Sequence, residues 1–457
     1  MGTCYHKTMM KKKSTWPILR LLLALLIVAG GFGFIPNPAL QAPLGQGEQQ
    51  IDRLARQSPF LSTAYADQQA TDLVAGTPLA DSQVRDAPNI ISPSALVATA
   101  DGTILWERGG LIRRPMASTT KIMTAVVALE HASLDMQCTV TMGAANTDGS
   151  SAWIMQGDVA SLYDLLIGLM VNSGNDAAVA IAENVAGDVF TFVDMMNAKA
   201  QELGMKNTQF IDPHGLGEDG LHSTVEDYLI LTRYAMRNET FRSIVCLREA
   251  TVYINGRQID YFSTNKLFYR MDGVIGVKTG TNYMADNCLV ACIDHDGMLF
   301  YTVVFGAPSD EARYDDTVRL FEWAFIHYRH VELINNNTLV ADLALTSWPN
   351  ETVPVRAPHP VAIPVFDYGG PILQEVELAD WEGSISRGQK VGRIIWSQNG
   401  EVLATSDLVA DAARNAPTFW ENISIKWDRF VKGIGGNPGS SETKVYLTGT
   451  FEIPIGF

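Results

Sequence analysis

The middle of the chain carries its hydrophobic residues in distinct periods. Ser94-Ala95-Leu96-Val97-Ala98-Thr99-Ala100 predicts a strand, Asp101-Gly102 a tight turn, and Ile104-Leu105-Trp106 the partner strand. From Ile122 to Leu129 the chain is apolar on almost every side, which predicts a buried helix starting near Ser118. Asp164 to Val171 reads as a second helix, ended by Asn172-Ser173-Gly174-Asn175-Asp176, and another helical run begins at Ala177. Gly273 to Gly280 is β-rich, Asn287 to Ile293 is a strand, and Asp296-Gly297 turns the chain into Leu299 to Phe305. These three runs predict an antiparallel meander.

The two ends follow other rules. Lys11, Lys12 and Lys13 precede an apolar run from Leu21 to Ile35, and small residues and prolines lead to Ala39-Leu40-Gln41-Ala42. Basic head, apolar middle and small-residue exit match a secretory signal at 1–42, with an uncleaved anchor as the alternative. Either places the body outside the cytoplasm. Residues 43–90 are rich in Gln, Ala, Asp, Pro and Gly without a sustained period and read as a tether. After Pro417, the residues Trp420, Ile423, Trp427, Phe430, Val431 and Ile434 recur at helical spacing, beside Lys426, Arg429 and Lys432. That pattern suits a helix at a membrane surface over 417–435, or a last helix packing on its own domain. The tail at 436–457 is Gly/Ser-rich at first and then apolar.

Composition narrows the class. The 457 residues are 47% hydrophobic and 18% charged, which suits an ordered globular protein with at least one sizeable core. A formal charge of −16 argues against a nucleic-acid partner, because an acidic body repels phosphates. Five cysteines in this length do not make a disulfide framework. Cys288 and Cys292 lie four apart in one strand, too far to bridge, and read as buried free thiols. Zinc-ligand spacing and His-Glu-x-x-His are both missing, so no metal and no other cofactor is expected.

Three short patterns carry candidate chemistry. Ser118 and Lys121 are three apart, so on a helical turn both project to one side. A serine hydroxyl needs a base in reach, and a lysine can serve if burial or a neighbouring cation depresses its pKa. Ser173 and Asn175 sit on the connection between two buried helices, where a hydroxyl and an amide can face a cleft. Lys278 and Thr279 offer a cation and a hydroxyl to an anionic substrate group, and Gly280 lets a ligand approach the strand closely. Each pattern alone has an ordinary explanation: a helix cap, a polar turn, an edge-strand lysine. Their joint occurrence in this order is far more specific.

The order Ser-x-x-Lys, Ser-x-Asn, Lys-Thr-Gly resembles the penicillin-recognising serine acyl-transferases. Over about Ile91 to Ala416 the chain resembles the low-molecular-weight D-alanyl-D-alanine carboxypeptidases of bacterial cell walls. Further similar blocks are Gly149-Ser150-Ser151, Asn172 to Ala178, Phe210 to Leu216 and Ile385 to Gly392. The resemblance implies an α/β (α+β) catalytic domain of β-lactamase/transpeptidase-like fold with an antiparallel sheet at 91–335. A small all-β domain at 336–416 follows, and then the surface helix. It implies Ser118 as nucleophile, Lys121 as base, and Ser173 with Lys278 as the proton relay to the leaving D-alanine. Asn175 would hold the substrate's peptide amide, Thr279 its terminal carboxylate, and the N–H groups of Ser118 and Thr281 its oxyanion. Peptidoglycan stem peptides and β-lactams are the implied partners. Where the family usually has Ala-Gly after Lys-Thr-Gly, this chain has Ala285-Asp286, a departure that puts a carboxylate where substrate choice or the shape of the cleft can depend on it. A D,D-endopeptidase, a β-lactamase and a non-catalytic wall-binding protein are the alternatives. The second lacks a convincing Glu-x-x-Leu-Asn block between Ser173 and Lys278, and a histidine hydrolase lacks a Gly-x-Ser-x-Gly elbow.

Overall fold

The expected meander forms one side of a five-stranded antiparallel sheet. Its strands are β1 (Ser94–Thr99), β2 (Ile104–Arg108), β3 (Val274–Asn282), β4 (Asp286–His295) and β5 (Met298–Ala307). They stand in the order β2-β1-β5-β4-β3, so β3, which carries Lys-Thr-Gly, is an edge strand. The computed structural model describes residues 86–217, 219–348, 351–434 and 442–451. The expected signal segment and nearly all of the tether lie outside the described residues.

β4 is buried on both faces from Cys288 to Ile293, which is why its sequence is a continuous apolar run. Cys288 and Cys292 are buried free thiols, as their strand placement predicts. The turn between β4 and β5 places Asp296 at φ +52° and Gly297 at φ +78°, the left-handed pair of a two-residue hairpin.

Seven labelled helices belong wholly or partly to this first unit, residues 89–319. They are α1 (Lys121–His131), α2 (Leu162–Met170), α3 (Asn175–Ala186), α4 (Val189–Glu202), α5 (Val225–Ala235), α6 (Glu239–Val245) and α7 (Asp310–His327). Side-chain caps start four of them: Ser161 accepts from the Asp164 N–H, Asp188 from Thr191, Thr224 from Asp227 and Asn238 from Phe241. α1 is buried without interruption from Lys121 to Ala128, and α2 from Leu165 to Met170. Full burial of each large apolar side chain contributes about 1.5–3 kcal/mol. α1, α2 and α3 thereby form a rigid base under the segments that carry Ser118 and Ser173.

The second unit comprises residues 86–88 of the described chain and everything from Leu320 onward. Its strands are β6 (Tyr328–Ile334), β7 (Leu339–Ala344), β8 (Thr352–Arg356), β9 (Val361–Phe366), β10 (Ile372–Leu378), β11 (Lys390–Gln398), β12 (Glu401–Ala410), β13 (Lys444–Val445) and β14 (Gly449–Phe451). β6 pairs with β9, and the other seven form a sheet ordered β13-β7-β8-β12-β11-β10-β14. Between β12 and β13 lies the helix α8 (Phe419–Ile434).

Three expected boundaries move. The catalytic unit ends at Arg319 rather than 335, because β6 pairs antiparallel with β9 inside the second unit. The end of the expected linker belongs to the second unit, where the Asp86 carboxylate meets His327 Nε2 at 3.0 Å and accepts a hydrogen bond from Tyr368. The β domain also continues past 416, since residues 444–451 of the tail are strands of its sheet. β13 and β14 lie on opposite edges of that sheet and are joined by Tyr446-Leu447-Thr448 alone. Three residues span so little that the sheet must curl until its edges meet. The tail thus covers two edges that would otherwise offer unpaired N–H and C=O groups.

Candidate active site

Ser118 lies on a 3-10 turn, Ala117–Thr120, and the α-helix proper begins at Lys121. In a 3-10 turn residues three apart eclipse one another. The Lys121 ammonium nitrogen Nζ therefore lies 2.8 Å from Ser118 Oγ. Ala117 is held at φ +46°, a left-handed backbone that a non-glycine residue adopts only when its surroundings impose it. Gly215 supplies part of that constraint: a Cβ there would stand 1.9 Å from the Ala117 carbonyl oxygen.

Lys121 is fully buried. Its Nζ also donates to Asn175 Oδ1 at 2.6 Å and to the His214 carbonyl at 2.9 Å. Burial lowers its pKa to about 7, against the opposing pull of the Asp212 and Asp176 carboxylates. Asp176 accepts from the Ala152 and Ala177 N–H groups and from Ser151 Oγ. Burial raises the Asp212 pKa, but the His214 hydrogen bond and charge, with the N–H groups of Gly215 and His214, bring it to about 2. Pro213-His214-Gly215 is thus a structural turn, with the His214 and Gly215 N–H groups donating to Asp212 Oδ1. The His214 carbonyl faces Lys121, while its Nδ1 lies 3.0 Å from Asp212 Oδ1.

Ser173 and Asn175 come from the junction of α2 and α3. α3 starts at Asn175, two residues before the expected Ala177, with Gly174 in the cap position. Ser173 is held at φ +61° and is buried, with Oγ 2.9 Å from Lys278 Nζ. Asn175 is fixed on both sides of its amide: Oδ1 accepts from Lys121, and Nδ2 donates to the Asp148 carbonyl at 2.6 Å. The expected grip on the substrate's amide shares this side chain with Lys121.

Lys278 on β3 is buried and also donates to the Thr279 carbonyl at 2.9 Å. Burial pushes its pKa well below the ordinary lysine value, and the charges of Lys121 and Arg313 push the same way. Thr279 is buried, with its hydroxyl 2.7 Å from that of Thr264. Gly280 admits the nucleophile turn itself: a Cβ there would lie 2.9 Å from the Met116 carbonyl and 3.1 Å from the Ser118 nitrogen. That contact puts the Lys-Thr-Gly strand against Ser118, so the Ser118–Lys121 and Ser173–Lys278 pairs belong to one connected site. Thr281 is exposed, with its hydroxyl 2.9 Å from Arg313 Nη1. Asp286 closes the hairpin opposite Asn282 at φ +53°, a left-handed backbone, with its side chain exposed.

Arg313 has no counterpart in the sequence reading. It is buried on α7 and also donates to the Gly280 carbonyl at 2.9 Å, bracing β3 at the residue that meets the nucleophile turn. Thr264, Asp176 and Asp212 likewise carry no signal in the sequence that marks them as site residues, because no local spacing ties them to the three patterns.

A serine hydroxyl held by a buried lysine of lowered pKa, next to a second serine–lysine pair, defines a serine acyl-transfer site on a mixed helical and antiparallel frame. The sequence profile of the D-alanyl-D-alanine carboxypeptidases matches residues 81–309. The D-alanyl-D-alanine carboxypeptidase DacF of Bacillus subtilis is 30% identical over 350 residues, covering 74% of this chain and 90% of the relative. The solved D-alanyl-D-alanine carboxypeptidase DacD of Francisella tularensis aligns with TM-score 0.53 at 25% identity, over 77% of this chain and all of that one. Penicillin binding protein 5 of Haemophilus influenzae aligns with TM-score 0.53 at 26% identity, over 71% and 98% of the two chains. The chain belongs to the D-alanyl-D-alanine carboxypeptidase family of serine peptidases.

Proposed function

We propose that this enzyme removes the terminal D-alanine from peptidoglycan stem peptides through an acyl-enzyme on Ser118, and that penicillin traps the first half of the cycle. The observation that carries the assignment of roles is the 2.8 Å contact between Ser118 Oγ and a fully buried Lys121 whose pKa lies near neutrality. A neutral lysine there takes the Ser118 proton as Oγ attacks the carbonyl carbon of the scissile amide. The oxyanion of the tetrahedral intermediate is met by the N–H groups of Ser118 and Thr281. The C–N bond breaks as Ser173, hydrogen-bonded to Lys278, delivers its proton to the departing amine of D-alanine, and the proton that Lys121 took from Ser118 replaces it, which leaves Lys121 neutral again. Water then enters, gives a proton to Lys121 and attacks the acyl carbon. Expulsion of Ser118 Oγ, which recovers its proton, releases the shortened peptide.

Two hydroxyls and two buried lysines suit a substrate with a carboxylate at its end. Arg313 adds a positive charge beside β3, at the Gly280 carbonyl. The relatives' shared activity and the family's penicillin-binding member support the same substrate and inhibitor.

The place of action is the outer face of the cell membrane, and α8 is the contact. Phe419, Trp420, Ile423, Trp427, Phe430 and Val431 share one face of this helix, and all are exposed. The opposite face rests on its own domain through buried Ile425 and through Arg429, which donates to the Thr346 carbonyl at 2.8 Å. Exposed aromatic rings on one face are what an interfacial helix requires. Among the described residues no helix is long and apolar enough to cross a membrane.

Release of D-alanine from a peptide ending in D-Ala-D-Ala tests the activity and its nucleophile together. Wild type should release it, and Ser118→Ala should lose on the order of a millionfold in rate, as in other serine hydrolases. Near-normal release by Ser118→Ala would overturn the assignment.

A further inference from the structure

Thr279, the residue expected to take the substrate's terminal carboxylate, is only 5% exposed. The hydroxyl in contact with it belongs to Thr264, which is exposed, and the two oxygens are 2.7 Å apart. Thr264 lies in the short connection between the strand Arg257–Phe262 and the 3-10 turn Lys266–Tyr269. Its backbone is tied at both ends. The N–H donates to the Val171 carbonyl at 3.2 Å, two residues before Ser173, and its carbonyl accepts from the buried Tyr314 hydroxyl at 3.1 Å. The side chain therefore holds a fixed position between the Ser173 loop, α7 and the Lys-Thr-Gly strand.

A threonine hydroxyl has one hydrogen and two lone pairs. While the two hydroxyls bond to each other, one hydrogen is spent inside the pair and one is left for an outside acceptor. A carboxylate is acceptor-only and has two oxygens, so it can take both hydrogens, one from each hydroxyl. The spacing of the pair is comparable to that of the carboxylate oxygens, and Arg313, reaching from α7 to the Gly280 carbonyl, brings a positive charge to the same strand. A lone buried Thr279 would present one donor from behind; the pair presents two, with the exposed member in front.

We propose that Thr264 is the second half of the carboxylate site, binding the terminal carboxylate of the D-Ala-D-Ala substrate jointly with Thr279. This rests on the reading of Ser118 as nucleophile and of Thr279 as the carboxylate ligand. It assigns to this chain a specificity residue that lies outside all three short patterns.

The test uses the full-length enzyme with Thr264→Val, which keeps the shape and removes the hydroxyl, and Thr264→Ser, which restores it. Each is assayed on a peptide ending in D-Ala-D-Ala and on the same acyl-D-alanyl group as a methyl ester, whose leaving group has no carboxylate. A hydrogen bond to a charged group implies roughly a 10- to 100-fold loss of kcat/KM for Thr264→Val on the peptide, chiefly through KM. The ester rate should stay within about twofold, and Thr264→Ser should recover most of the peptide activity. Equal losses on both donors would assign Thr264 to holding the site together and overturn the proposal. So would undiminished peptide turnover by Thr264→Val. A wild-type enzyme that turns over the ester and releases no D-alanine from the peptide would instead overturn the carboxypeptidase reading itself.

Discussion

The acylation rate should follow the neutral fraction of Lys121, and the structure sets where that fraction changes. Burial strips water from the ammonium and lowers its pKa to about 7, although Asp212 and Asp176 pull upward. The base form is the deprotonated one, so activity grows as pH rises. With a midpoint of about 7, the neutral fraction is about one-tenth at pH 6 and about nine-tenths at pH 8. Acylation should therefore climb roughly tenfold across that interval and then level off. An ordinary lysine, with a value of 10.5, would give a rate still climbing about tenfold per pH unit at pH 9. Lys278 repels Lys121, so the limb belongs to both lysines as a coupled pair. Stopped-flow measurement of the second-order acylation constant with a fluorescent penicillin, from about pH 5.5 to 9, distinguishes the two curves. Asp212→Asn, which removes a charge favouring protonated Lys121, should move the midpoint to lower pH. A rate that rises without a break to pH 9, or a midpoint that Asp212→Asn moves upward, would refute the argument that burial makes Lys121 the base.

Other perturbations address other parts of the molecule. Gly280→Ala places a Cβ 2.9 Å from the Met116 carbonyl and 3.1 Å from the Ser118 nitrogen, so the nucleophile turn must shift. Acylation should fall about 100-fold with a destabilisation of only about 1–3 kcal/mol, read by penicillin labelling and thermal melting. A chain ended before Glu442 loses β13 and β14, with the partly buried Val445, Leu447 and Phe451. At about 1 kcal/mol for each half-buried side chain, the second unit should lose about 3 kcal/mol, seen as an earlier melting transition with catalysis retained. Trp427→Ser combined with Phe430→Ser should weaken sedimentation with anionic phospholipid vesicles about 100-fold while D-alanine release from a soluble peptide is unchanged. Unaltered vesicle binding would remove α8 from the membrane contact.

What the sequence reveals is what lies close along the chain. Ser118 and Lys121 meet because one tight turn joins them, so their spacing alone announces the pair. Ser173 and Lys278 are 105 residues apart, and only the resemblance to a family brings them together before the fold is known. Arg313 and Thr264 reach the same strand from an ordinary amphipathic helix and an irregular connection, where no period or spacing marks them. Asp212 lies inside the Phe210 to Leu216 block that resembles the family, yet its effect on Lys121 depends on burial that no local pattern expresses. The same limit applies to domain edges. β6 follows α7 directly, and its place in the second unit shows only in its pairing with β9. β13 and β14 have two and three residues, too few to show the alternation by which strands are recognised.

The central claim is that Ser118 becomes acylated with Lys121 as its base, and covalent capture tests it most directly. The intact protein is incubated with benzylpenicillin near pH 8, weighed by mass spectrometry, digested and mapped. The account predicts a single penicilloyl adduct on the peptide containing Ser118, none on Ser118→Ala, and acylation slowed by orders of magnitude in Lys121→Ala. An adduct on any other residue, or undiminished labelling of either variant, would contradict it.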